Sequence, residues 1–256
     1  MSVNFRKFSY SLLLLIGRLV FYNSKSKVLY YHDIYADDQD PDTEMATKLS
    51  LFRNHVRIIR SAGFEIVPVI TRPNRQVMLT FDDGFSGIYK NKELFESENI
   101  TATIFMITAA IGKSHYLTAD QIAEMIRLGF RIQSHTHGHR DMTTLTAAEL
   151  HEDLRISKQI MEKVVPDVTE LCFPYGRFSK PVLRIAMASG YEHLYCSIPG
   201  NCTNSANRGL VYRNLVQWAS PTDLKNILFG GMAIFKNRYT AQHYDRKPIR
   251  LSATSV

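Results

Sequence analysis

Paired cysteines are missing from this chain. Cys172, Cys196 and Cys202 are its only three, none stands in a CxxC spacing, and the odd count speaks against a disulfide framework, so cysteine usage leaves the compartment open. Internal repeats and low-complexity stretches are also absent, and no domain boundary shows after residue 27. Nothing has the pattern of a zinc knuckle, a basic zipper or an RNP motif, which argues against nucleic acid as a partner. A long apolar run is lacking too. The best one lies in "MSVNFRKFSYSLLLLIGRLVFYNSKS", where early positive charge precedes it, Arg18 interrupts it and no clear small-x-small cleavage site follows. It is too short and too broken for a spanning helix. Three readings stay open for residues 1–27: an uncleaved or atypical signal, an amphipathic helix lying in a membrane interface, or a helix packed on the fold's own surface.

What is present is ordinary globular composition. Hydrophobic residues make up 45% and charged ones 21% of 256 residues, enough for a real core and a usual size for one α/β barrel. Lys and Arg number 31 against 24 Asp and Glu, a net +7, a balance that suits an anionic surface such as phospholipid. The basic residues are scattered, however, with their clearest concentration in "FKNRYTAQHYDRKPIR", so residues 231–256 read as a solvated basic tail.

Short, near-continuous apolar runs recur at 27–32, 64–69, 76–82, 101–108, 130–135, 170–175, 191–197 and 211–218, as buried parallel strands do. Helical patterns lie between them. Leu49, Phe52, Val56 and Ile59 repeat at three- and four-residue intervals and stop before Gly63. "TADQ" and "TAAE" have the form of capping boxes. Further helices are predicted at 91–98, 179–189 and 221–229. This alternation implies an α/β fold with a mostly parallel sheet, open or closed into a barrel.

Polar clusters fall at the C-terminal ends of these runs: His32, the pair Asp82 and Asp83 in "LTFDDGFSG", "SHTHGH" at 134–139 and "FPYG" at 173–176. That edge is where parallel α/β folds build sites. Asp-Asp-Gly alone reads as a turn. His135 and His139 are four apart, a spacing that on a helical turn puts both on one face, with His137 pointing elsewhere. Two imidazoles and one carboxylate, with positions left open, are what a catalytic metal site needs. Asp83 is the expected third ligand. A cation on one carboxylate relieves the repulsion between the neighbours and leaves the other free to accept a proton from water.

"TFDDG", "SHTHGH" and "FPYG", in this order, resemble the polysaccharide deacetylase family, the NodB-homology or carbohydrate esterase family 4 domain, over residues 28–230. The resemblance implies a distorted (β/α) barrel that removes acetyl groups from N-acetylated amino sugars with one divalent metal, commonly zinc. It makes Asp82 the general base and Asp83, His135 and His139 the metal ligands. "FPYG" then lines the groove through Pro174 and Tyr175, with the Tyr175 N–H as an oxyanion donor. Trp218, at the end of the last run, is a further candidate for sugar stacking.

Two departures stand out. Many members carry an Arg just before the Pro-Tyr of the third motif, which orients the base, whereas here Leu171, Cys172 and Phe173 precede it. Many also end with an apolar strand and an acid His. Here "VLYYH" places that strand and His32 at the front of the chain, similar to a circularly permuted subgroup of biofilm-polysaccharide N-deacetylases, and His32 is assigned as general acid. The competing readings are an O-acetyl carbohydrate esterase and a catalytically inactive carbohydrate-binding protein. The family implies an N-acetylated glycan as partner and work at the cell envelope, with membrane-surface association among the open readings.

Overall fold

The computed structural model describes residues 3–165, 167–202 and 209–244. Strands and helices alternate along them as the apolar runs predict. The strands are β1 (Lys27–Tyr31), β2 (Asp33–Tyr35), β3 (Ala46–Lys48), β4 (Glu65–Ile66), β5 (Gln76–Phe81), β6 (Thr103–Met106), β7 (Arg131–Ser134), β8 (Glu170–Cys172), β9 (His193–Tyr195), β10 (Leu210–Val211) and β11 (Arg213–Leu215). The helices are α1 (Val3–Val20), α2 (Leu49–Ser61), α3 (Gly87–Lys90), α4 (Lys92–Ser97), α5 (Ala119–Arg127), α6 (Ala147–Met161), α7 (Lys180–Ala188), α8 (Pro221–Leu228) and α9 (Lys236–His243).

The main sheet runs β10-β9-β8-β7-β6-β5-β1-β11, with β4 beside β5, and every pairing in it is parallel. β2 and β3 form a separate parallel pair. The extended segment 210–215 faces both margins of the sheet, pairing with β9 through Leu210 and Val211 and with β1 through Arg213 to Leu215. The ladder breaks at Tyr212 instead of continuing, so the barrel is distorted. The run at 64–69 supplies only a two-residue strand, because Pro68 has no N–H to give a ladder.

Side chains alternate along a strand, and the buried apolar residues accordingly fall into two clusters. Val28, Met78, Phe105, Cys172 and Tyr195 form the smaller one, inside the barrel. Leu29, Tyr31, Leu79, Phe81 and Ile104 belong to the larger one, with the helices. Counting by twos from Val28 and Met78 therefore carries His32 and Asp82 to the inner side at the C-terminal mouth.

The helices form where their signals stand. α2 buries Phe52, Val56 and Ile59 and ends before Gly63 at φ 78°. Thr118 and Thr146 both close capping boxes, with Gln121 and Glu149, each satisfying helix donors left open at an N-terminus. α1 lies on α8 and on residues 231–235. Leu14 and Gly17 are buried there, and a Cβ on Gly17 would stand 2.2 Å from Gly231 O, so only glycine lets the two backbones meet. Part of the expected C-terminal tail is the helix α9, and residues 245–256 lie outside the described residues.

Candidate active site

The two carboxylates after β5 part company. Asp82 keeps the inward parity, and its N–H donates to Tyr31 O at 3.0 Å. Its carboxylate accepts both arms of Arg213, Nη1–H to Oδ1 at 2.6 Å and Nη2–H to Oδ2 at 2.7 Å. Asp83 and Gly84 stand at φ 72° and 80°, turning the chain away. A Cβ on Gly84 would lie 2.4 Å from Met106 Sδ, so the Asp-Asp-Gly turn needs its glycine.

Arg213 comes from β11 and is 1% exposed. Its Nε–H donates to Cys196 O at 3.2 Å, and Nη2 lies 3.0 Å from Cys172 Sγ. The guanidinium stacks over the Tyr30 ring at 4.4 Å. Burial opposes ionisation of Asp82, but the Arg213 charge and its two hydrogen bonds outweigh burial and hold the carboxyl well below the usual range. Asp82 is thus an anion with a fixed orientation.

His135 follows β7 and is buried. Its Nδ1–H donates to Cys172 O at 2.8 Å, which leaves Nε2 directed at Asp83, the arrangement that holds a ligating imidazole in place. Nε2 of His135 lies 3.3 Å and Nε2 of His139 3.4 Å from the same atom, Asp83 Oδ1. That oxygen is buried and makes no hydrogen bond. One donor atom each from Asp83, His135 and His139 falls within 4.8 Å of the others. An orphaned buried carboxylate oxygen between two imidazole nitrogens is satisfied by a cation, so the residues fit a metal. Burial lowers the His135 pKa, yet Cys172 and Asp83 together raise it well above the usual value, marking a place for positive charge that a cation can take over. His139 is pushed down to about 4, first by burial and then by His135, so its ring is neutral and able to ligate. Asp82, His135 and Cys172 also approach one another, but a cation among them would face the Arg213 guanidinium.

The histidines do not converge through a helical turn, as their spacing suggests. Residues 135–139 are a loop with Thr136 at φ 68° and His139 at φ 51°. A β-branched residue in the left-handed region is strained and persists only where the surroundings impose it. Here Thr136 Oγ1 accepts from His139 N–H at 3.1 Å, and Asp153 on α6 accepts from His137 and Gly138 N–H at 2.8 and 3.0 Å. His137 turns outward to Thr108 Oγ1, 3.0 Å from its Nδ1. Asp153→Ala is expected to weaken metal binding about tenfold to a hundredfold, the usual cost of losing an outer partner; competition titration against a chelating dye measures it.

His32 stands at the end of β1, with Nδ1–H donating to Gln217 Oε1 at 2.7 Å. The Thr47 hydroxyl donates in turn to the Gln217 carbonyl at 3.0 Å. His32, Asp82, Asp83, His135, His139 and Tyr175 line one cavity of about 490 Å³. Pro174 and Trp218 are not among its lining residues. Pro174 is buried at the start of the turn that sets Tyr175 at φ 57°, and Trp218 is 57% exposed. Arg213, Gln217 and Asp153 are not legible as site residues in the sequence, nor are Tyr239, Gln242 and His243, which α9 adds to the cavity. Arg213 left one signal, a charged residue inside the apolar run "VYRNL".

A parallel α/β barrel with a carboxylate, two imidazoles and a spare ionised carboxylate at its mouth defines the class of metal-dependent hydrolases. Residues 70–194, just under half of the chain, match the family described as polysaccharide deacetylase, and the fold is that of the NodB-type deacetylases. YxkH of Bacillus subtilis is 25% identical over 202 residues, covering 74% of this chain and 71% of that one. The peptidoglycan-N-acetylglucosamine deacetylase of Bacillus cereus is 26% identical over 165 residues, covering 62% of this chain and 76% of that protein. Among solved structures, the Streptococcus pyogenes deacetylase PplD superimposes with a TM-score of 0.71 at 21% identity, covering 80% of this chain and 98% of that one, which supports the shared fold.

Proposed function

We propose that the chain removes acetyl groups from N-acetylated amino sugars of a cell-envelope glycan, releasing acetate and a free amine. The observation that carries this reading is the meeting of Asp83, His135 and His139 on one point beside an Asp82 kept ionised by Arg213. A divalent cation held by Asp83, His135 and His139, zinc by the chemistry of this donor set, would polarise the acetyl carbonyl and acidify the attacking water.

The chain's own groups do the rest. Asp82 accepts the proton of the attacking water, and its Arg213 clamp keeps that carboxylate aimed. The Tyr175 N–H donates to the developing oxyanion. His32, its Nδ1–H committed to Gln217, presents Nε2 to give the leaving nitrogen its proton, without which an amine does not depart. Tyr175, 56% exposed and 4.8 Å from the His139 ring, offers a face to the sugar. The catalytic unit extends past residue 230, since α9 contributes Tyr239, Gln242 and His243 to the cavity. Likeness to the Bacillus cereus peptidoglycan-N-acetylglucosamine deacetylase supports an envelope glycan.

The test joins metal analysis to acetate release from N-acetylglucosamine oligomers, with O-acetylated xylan alongside. The expected result is about one divalent ion per chain, release from the N-acetyl substrate, and loss of turnover on chelation that the added ion restores. Release from the xylan alone would assign an esterase, and sugar binding without release a lectin-like role. His32→Ala should slow amide hydrolysis about a hundredfold or more; undiminished turnover would move the acid role to another group, with His243 the cavity imidazole that is not among the proposed metal ligands.

A further inference from the structure

α1 exposes a continuous apolar stripe. Phe8, Leu12, the adjacent Leu15 and Ile16, and Leu19 recur at helical spacing, and each is exposed, Leu19 to 74% and Phe8 to 69%. Val20, Phe21 and Tyr22 extend the patch at 65%, 45% and 62%. Scattered apolar residues on a surface are ordinary, but a contiguous face of this kind marks a binding surface. It is not a side of the helix left over from packing. The opposite side is fixed to the domain, with Leu14 buried, Gly17 against Gly231, and Tyr10 stacked on Phe235 at 5.3 Å.

Charge identifies the occupant. Residues 1–26 contain Arg6, Lys7, Arg18 and Lys25 and no Asp or Glu, within a chain of net charge +7. At the C-terminal end of the stripe the basic groups mix with aromatic ones. Tyr22 stacks on Phe229 at 5.5 Å, and the Arg18 and Arg75 guanidinium carbons lie 5.2 and 5.7 Å from the same ring. An apolar stripe bordered by cations and amphipathic rings suits the boundary between acyl chains and anionic headgroups. No helix among the described residues is long and apolar enough to cross a membrane, and a helix with Leu14 and Gly17 packed on protein cannot be sheathed in lipid on all sides.

We infer that α1 docks the enzyme flat on an anionic lipid bilayer, with Phe8, Leu12, Leu15, Ile16 and Leu19 entering the interface. The segment beneath α1, residues 231–235, runs directly into α9, whose Tyr239, Gln242 and His243 line the cavity. The docked helix thus sits beside the rim of the site and brings membrane-borne glycan within its reach. The docking itself depends on none of the catalytic assignments.

The experiment is co-sedimentation of the full chain with phosphatidylcholine vesicles, with and without phosphatidylglycerol, at low and high ionic strength. Wild type is expected to pellet with the anionic vesicles and to be released by salt. Leu12→Glu and Leu19→Glu should each weaken binding about tenfold or more, and Lys25→Glu about fivefold or more. All three positions are exposed, so thermal midpoints and acetate release from soluble oligomers should match wild type. Wild type remaining in the supernatant with anionic vesicles, or Leu12→Glu and Leu19→Glu binding as tightly as wild type, would overturn the inference. So would equal binding to neutral and anionic vesicles, or self-association that the same substitutions abolish while vesicle binding is absent, which would assign the stripe to a second copy.

Discussion

Asp82→Asn is expected to lower turnover about 10²- to 10⁴-fold, the range over which a positioned base contributes, while the metal stays bound. The amide is nearly the same size as the carboxylate but accepts no proton at neutral pH. The bound ion should persist because Asp83, His135 and His139 hold it without help from Asp82, whose oxygens are both engaged by Arg213. Acetate release measured beside metal content separates these outcomes. Turnover near the wild-type rate would remove Asp82 from the role of base, and loss of the ion would make it a ligand.

Arg213→Met is expected to be nearly as damaging to activity and more damaging to stability. The guanidinium and the Asp82 carboxylate are buried together, and removing one partner of such a pair leaves the other uncompensated, at a cost of about 3–5 kcal/mol. Activity should fall with a shift in its pH profile. Asp82 is now held low, so it stays ionised, and its contribution to stability is present above the ordinary carboxylate range and lost only as pH falls through the depressed value. Without Arg213, burial is opposed only by the smaller effects of His135 and His32 and raises that pKa. The acidic limb of the rate profile should therefore move to higher pH, and the Asp82 contribution to stability should change sign, the variant regaining stability as pH falls through the raised value. Arg213→Lys keeps the charge but not the two-armed grip, so it should recover stability better than rate. A thermal scan and a pH–rate profile of each variant measure both effects. An Arg213→Met enzyme with an unmoved acidic limb would leave Arg213 a merely structural residue.

Arg213 also accounts for what the third motif lacks. The residue before "FPYG" is Cys172, small and buried, and Arg213 Nη2 lies 3.0 Å from its sulfur. A charged group reaches the base from β11, two strands from β5 on one side, instead of from β8, three strands away on the other, and a small residue at 172 leaves it room. Nothing in the neighbourhood of "LCFPYG" announces this, since residues 172 and 213 meet only when β11 pairs with β1.

Much of the site was nonetheless legible. Asp82, Asp83, His135, His139 and His32 all stand at the ends of apolar runs, and the strand direction sends every such end to the same mouth. The strands were legible because burial on both faces makes them near-continuous in apolar residues, and the helices because Thr118 and Thr146 sit where side chains cap. The route by which His135 and His139 meet was not. A spacing of four suits a helical turn, but Asp153 and Thr136 bind this stretch as a loop with left-handed residues, and those partners are remote in sequence or depend on backbone angle. Trp218 marks another limit: a position at a strand end does not say whether the ring lines the cavity, and this one stands exposed outside its lining.

The order of residues alone thus determined the alternation of strand and helix, the edge on which chemistry gathers, and the ligand and base candidates, because these follow from local hydrophobic period and from position along a strand. The tertiary structure decided which Arg clamps Asp82, which amide orients His32, how α9 completes the cavity, and that one side of α1 stays bare. Each of these depends on groups brought together by chain closure, and side-chain forces act over a few ångströms of space whatever the separation along the chain.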